Sequence, residues 1–201
     1  MKKVAYALAI VAAILFATFL IFRTPDIPAE QLRAEYANAE SEFIEIEPGL
    51  SVHVRDEGPA TAPALLLIHG SSSSLHTWEP WVERLKADYR IISYDQPGHG
   101  LTGPHPRGCY TADCMVAVAD AVAGVKGLTG FVIGGNSMGG GVSWNYARAH
   151  GEKLAAMVLV DASGIDVPRD DDGVPIGFRI MQTPVVSRIA TQITPRSMVE
   201  A

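Results

Sequence analysis

The sequence predicts an α/β fold, a mostly parallel sheet with helices on both faces, and three observations carry that prediction. Short apolar runs, Ala64 to Ile68, Arg90 to Tyr94, Phe131 to Gly134 and Ala156 to Val160, alternate with stretches at 78–87, 111–126 and 138–149 that read as helices. The run Ala64-Leu65-Leu66-Leu67-Ile68 is unbroken, as in strands buried on both faces. With 201 residues, 48% of them apolar, and two cysteines, the chain suits one globular core and neither a disordered tail nor a disulfide-stapled miniprotein.

Taken in order, the elements begin with an apolar segment. Of the 19 residues from Val4 to Phe22 all but Thr18 are apolar, and as a helix they reach about 28 Å, close to the hydrocarbon thickness of a bilayer. Lys2 and Lys3 precede the segment and Arg23 follows, which favours a cytoplasmic N-terminus with the remainder outside, periplasmic or extracellular. The alternative is a cleaved secretory signal. Its apolar region is usually shorter and ends at a small-x-small site, which Phe19-Leu20-Ile21-Phe22-Arg23 does not offer. The expected division is an anchor or signal segment over 1–23, a linker over 24–42 with one helical stretch, a core over 43–165 and a further segment over 166–201. Phe43 to Glu47 and Ser51 to Arg55, separated by Pro48-Gly49, read as a β-hairpin. Trp78, Trp81, Val82 and Leu85 mark one face of the next helix.

Charge and residue types exclude several functions. Outside the first 23 residues the net charge is −9, a poor partner for nucleic acid. Six scattered histidines and the pair Cys109 and Cys114, with no second pair at finger spacing, argue against zinc. Cys109 and Cys114 are expected as free thiols, because a separation of five leading into a helix disfavours pairing. No Gly-x-Gly-x-x-Gly or phosphate-binding loop is present, so no cofactor or metal is expected.

Sites in such folds gather at the carboxyl ends of strands. There, Gly135-Asn136-Ser137-Met138-Gly139 forms G-x-S-x-G between an apolar strand and a helix, the context a sharp turn needs to raise a serine oxygen above the sheet. Ser137 is the expected nucleophile. His69-Gly70-Ser71 closes the strand at 64–68, which makes the backbone N–H groups of Ser71 and Met138 the expected oxyanion donors. His69 is read as fixing that loop rather than moving protons.

Leu67-Ile68-His69-Gly70, Asp95-Gln96-Pro97-Gly98-His99-Gly100, the Ser137 motif and Val158-Leu159-Val160-Asp161-Ala162 together resemble the α/β-hydrolase superfamily over residues 43 to about 165. The sequence is similar in particular to bacterial members with a hydrophobic N-terminus and a helical cap inserted after the sixth strand. The resemblance implies the α/β-hydrolase fold, here its first six strands plus the start of the cap. Ser137 would be the nucleophile and the Ser71 and Met138 amides the oxyanion hole, with the Asp95 to Gly100 segment mainly architectural and His99 outside the catalytic set. Asn136 occurs before the nucleophile in several subgroups and does not select a substrate.

A serine nucleophile needs a histidine and a carboxylate that follow it in this fold. Only His150 follows Ser137, about 20 Å along the next helix, so the base histidine is expected to be absent from the chain. Asp161 ends a strand where some family members place the acid; otherwise it caps a loop. Asp166, Asp170, Asp171 and Asp172 read as solvated rather than calcium-binding. Ile176, Phe178, Ile180 and later apolar residues, broken by Pro175, Pro184 and Pro195, read as the start of the cap.

The expectation is therefore a fragment of a serine hydrolase acting on an ester-like or related carbonyl through an acyl-enzyme, its small-molecule substrate partly apolar. Two alternatives stand beside it: a membrane-tethered binding protein of the same fold without catalysis, and an enzyme completed by a second chain. The strand at 156–160 should be left as an unprotected apolar edge.

Overall fold

The structure, a computed structural model, describes residues 2–23 and 26–164 and, beyond them, only residues 183, 186, 187 and 192. Asp166, Asp170 to Asp172 and the residues Ile176, Phe178 and Ile180 that were read as the start of a cap lie outside the described residues.

Helix α1 spans Lys2–Phe22 and belongs to a different unit from the body, which begins at Ala29. Its mean hydropathy of 2.7 and length of 21 residues suit a membrane span and equally a signal sequence. The body opens with α2, Ala29–Tyr36, the helical stretch expected in the linker.

Six strands follow: β1 Ser41–Glu47, β2 Leu50–Glu57, β3 Ala64–Ile68, β4 Arg90–Tyr94, β5 Phe131–Asn136 and β6 Leu154–Val160. They form one sheet in the order β1-β2-β4-β3-β5-β6, with β3, β4, β5 and β6 parallel and the β1–β2 hairpin antiparallel at one side. The helices are α3 Glu79–Leu85, preceded by a short 3-10 turn, α4 Ala112–Val125 and α5 Met138–His150.

Side chains alternate along β3 and so divide the core into two. Leu66 and Ile68 join the larger cluster with Ile92, Ile133, Val118 and Val122 of α4 and Val142 of α5, while Leu65 and Leu67 join Trp78 and Val82 of the α3 region. That division explains the unbroken apolar run. β6 stands at the sheet margin with Met157, Val158 and Leu159 each more than a third exposed, the bare apolar edge the sequence suggests.

Two features differ from the sequence expectation. Val52 and Val54 alternate as in a half-buried hairpin, yet β2 lies between β1 and β4 and is buried on both faces, taking His53 and Arg55 inside. Cys109 and Cys114, expected as free thiols, are joined in a disulfide with Cα atoms 6.1 Å apart. The reason is local: the Thr111 hydroxyl accepts the Cys114 N–H and caps α4, so the chain folds back over its own first helical turn.

The carboxyl edge of the sheet is organised by Asp95, which follows β4 and is fully buried. Its Oδ1 accepts the Leu75 N–H at 2.8 Å, and its Oδ2 accepts the Leu101 N–H at 2.8 Å and His53 Nδ1–H at 2.7 Å. Burial alone would raise the Asp95 pKa. The bonds from His53, Leu75 and Leu101 outweigh it and hold the carboxyl below its ordinary value. His53 Nε2 meets Ser41 Oγ at 2.8 Å, so serine, histidine and aspartate stand in line. Phe43 stacks on the imidazole at 5.0 Å and Asp95 has three donors, which makes this line a brace between β1, β2 and β4.

Two predictions follow from these contacts. An aspartate with a lowered folded pKa stabilises the fold above its unfolded value near 3.8 and loses that contribution as pH falls through the folded value. Asp95→Asn should therefore lower unfolding free energy in urea by about 3 kcal/mol at pH 7, and it should flatten the loss of stability of the unmodified chain below about pH 4. Replacing both cysteines by serine should cost about 2 kcal/mol in the same assay, the entropy of a short closed loop. Intact mass after alkylation should show two modified thiols only when a reductant is added first.

Candidate active site

Ser137 occupies the single-residue link between β5 and α5, with φ 51° and ψ −117°. A side chain in that backbone region is strained, and the surroundings hold it there. Its N–H donates to Val160 O at 3.0 Å, and its own carbonyl accepts from the N–H groups of Ser163 at 2.9 Å and Gly141 at 3.1 Å. The turn after β6 therefore grips the nucleophile candidate from both ends of its backbone.

Glycine is required on the helix side of the link. A Cβ on Gly139 would run into the carbonyl oxygens of Ile68 and His69, so only glycine lets the first turn of α5 press against the end of β3. The same approach sets the Ser137 side chain against the next loop, where a Cβ on Gly70 would stand 3.2 Å from Ser137 Cβ.

Ser71 and Met138 are neighbours: the Ser71 hydroxyl lies 3.3 Å from Met138 Sδ. Among the described residues, no hydrogen bond engages their backbone N–H groups or the Ser137 hydroxyl. Met138 N–H is also the first of α5, at the helix end that favours negative charge.

His69 behaves as the sequence suggests. Its Nδ1–H donates to Gly70 O at 2.7 Å, and its Nε2 accepts the Gln96 N–H at 3.0 Å, so both ring nitrogens are committed to the backbone. Burial, opposed by the Gly70 bond and by Asp95, depresses its pKa and keeps the ring neutral. His99 packs edge-on against it at 5.2 Å. His150 lies at the far end of α5 against Tyr146, with ring centroids 5.0 Å apart. No hydrogen bond joins any of the six histidines to Ser137 Oγ.

Asp161 is exposed, with φ 48°, in the turn whose Val160 and Ser163 hold Ser137. Among the described residues no three His, Cys, Asp or Glu side chains converge as a metal site. The Val160 and Ser163 grip is invisible in the residues, because backbone bonds carry no residue signature. The burial of His53 behind Asp95 could have been suspected only from a histidine between two inward valines.

Residues 63–178 match the family described as alpha/beta hydrolase fold. A serine hydrolase-like protein of Danio rerio is 34% identical over 128 residues, 63% of this chain and 39% of that protein. Epoxide hydrolase 4 of Mus musculus is 25% identical over 116 residues, 57% of this chain and 32% of the enzyme. Among solved structures, one from a study of carboxylesterases of the thaumarchaeon Nitrososphaera gargenis is 25% identical, with a TM-score of 0.62 over 75% of this chain and 56% of that one. The chain thus spans well under half the length of these two curated relatives. With more than half of its residues inside the family match, and a strained serine turn at the carboxyl end of the parallel strand β5, the chain belongs to the α/β-hydrolase fold family.

Proposed function

We propose that Ser137 is the nucleophile of a serine hydrolase acting on an ester-like or related carbonyl carbon. The observation that carries this reading is the strained Ser137 backbone, φ 51°, at the junction of β5 and α5. Ser137 Oγ attacks the carbonyl carbon as its proton passes to a base. The carbonyl π electrons move onto oxygen, and the N–H groups of Ser71 and Met138 receive that charge. Collapse expels the alcohol, which takes up the proton, and leaves an acyl-enzyme that water cleaves to the acid and free Ser137.

That none of the six histidines bonds Ser137 Oγ supports a base supplied from outside this chain. On this reading the chain by itself turns over weakly, with the proposed oxyanion donors but without the proton acceptor. Among the described residues, Asp161 stands in the turn beside the proposed nucleophile and is the candidate for an orienting acid. The missing histidine contact also favours a second reading, a non-catalytic binding protein of this fold.

The reading extends to location. Residues 4–22 would anchor the chain with Lys2 and Lys3 inside, and the Cys109–Cys114 disulfide suits a body in an oxidising compartment outside the cytoplasm.

A fluorophosphonate probe incubated with the full chain should label Ser137 slowly, with the adduct mapped by peptide mass spectrometry. Ser137→Ala should remove that label. Equal labelling of the variant, or an adduct on another serine alone, would overturn the assignment.

A further inference from the structure

Helix α2 is unusual for a surface helix because it buries none of its residues. It is tied to the body mainly through polar groups. Arg55 Nη2 donates to the Tyr36 carbonyl at 2.9 Å, Arg33 lies over the Phe43 ring at 4.2 Å, and the Tyr36 ring meets His76 edge-on at 5.8 Å. Beneath it, where an apolar stripe would normally pack, is a cavity of about 360 Å³.

The cavity is lined by Leu32 and Tyr36 of α2 and by Ser74, His76, Asp95 and Leu101 of the body. A mostly apolar hollow open to solvent forfeits dispersion contacts that an apolar ligand can restore. The volume falls in the range of small-molecule sites and holds about a dozen heavy atoms at roughly 30 Å³ each.

The polar lining defines the ligand further. Arg55 Nη2 stands 2.8 Å from His76 Nε2, and a guanidinium can only donate, so Nε2 is the acceptor. The imidazole proton is therefore on Nδ1, which donates to Ser74 Oγ at 3.0 Å. The Ser74 hydroxyl proton is left to donate into the cavity. The Asp95 carboxylate, fully buried behind the lining with its three internal donors, is held ionised and opposes a second negative charge in the cavity.

We propose that the cavity under α2 binds the chain of a neutral medium-length acyl ester, its carbonyl accepting from Ser74 and its alkyl chain running between Leu32, Tyr36 and Leu101. β4, which leads into Asp95, and β5, which leads into Ser137, are separated only by β3, about 10 Å at ordinary strand spacing. The cavity beside Asp95 is thus distinct from the Ser137 turn, and occupancy does not depend on that serine. The same chemistry is met in a soluble ester and in the acyl tail of a phospholipid.

The test uses the full chain in lipid nanodiscs, with photoreactive diazirine analogues of methyl decanoate, of decanoic acid and of a phosphatidylcholine carrying a decanoyl chain. Methyl decanoate, the lipid or both should label peptides containing Leu32, Tyr36 or Leu101, and which of them does so identifies the source. The free acid should label at least 5-fold less than the methyl ester. Leu101→Trp and Leu32→Trp, which fill the cavity from the body and from α2, should each reduce labelling about 10-fold, and Ser74→Ala about 5-fold. Ser137→Ala should leave it unchanged, which separates this site from the proposed catalytic one. Absence of label from these peptides with both esters, or equal labelling in both tryptophan variants, would overturn the proposal.

Discussion

A single ionised carboxylate, sealed from water, holds the working edge of this molecule in register. Asp95 draws in the backbone of Leu75 and Leu101 and the imidazole of His53, so the strand β2 and the loops after β3 and β4 all converge on it. Backbone reinforces the same junction: the Asp95 N–H donates to His53 O at 2.9 Å, and the Thr102 hydroxyl donates to Asp95 O at 2.7 Å. Such a group is tolerated in the interior because its acceptor sites are met by donors, and removing any one leaves a buried charge short of a partner.

The serine turn depends on this edge at one remove. Gln96, next to Asp95, clasps His69 through Gln96 N–H to Nε2 at 3.0 Å and Gln96 Nε2 to His69 O at 2.7 Å. His69 precedes Gly70 and Ser71, so the loop offering one proposed oxyanion donor is fixed from behind by the same segment that Asp95 begins. The α/β-hydrolase assignment rests on family membership and fold. The chemistry argued for Ser137 rests on how these backbone groups converge.

Much of this was legible in the residues. Ala64 to Ile68 and Arg90 to Tyr94 were readable as strands to the residue, the first because a strand covered on both faces leaves no polar position in which to lose the pattern. The G-x-S-x-G segment was readable as a turn because glycine at 135 and 139 has a steric purpose there. His53 was not legible, since alternation along β2 assumes that one face meets water, and β2 is interior. The disulfide escaped a distance argument that treated residues 109–114 as an open approach to a helix, when Thr111 turns the chain back. The cavity under α2 left no mark either, for an absent contact has no residue type.

The grip on Ser137 bears on the order in which the molecule can be made. The N–H and carbonyl of Ser137 are held by Val160 and Ser163, which leave the ribosome more than twenty residues after the serine itself. Until β6 is laid beside β5, only the Gly141 N–H holds the positive-φ backbone at position 137, and the link can relax into an ordinary turn. Assembly of the strained serine turn is in this sense a late event, gated by the arrival of a downstream strand. The growing chain therefore carries the proposed nucleophile outside its final geometry through the stages in which its neighbours are most exposed.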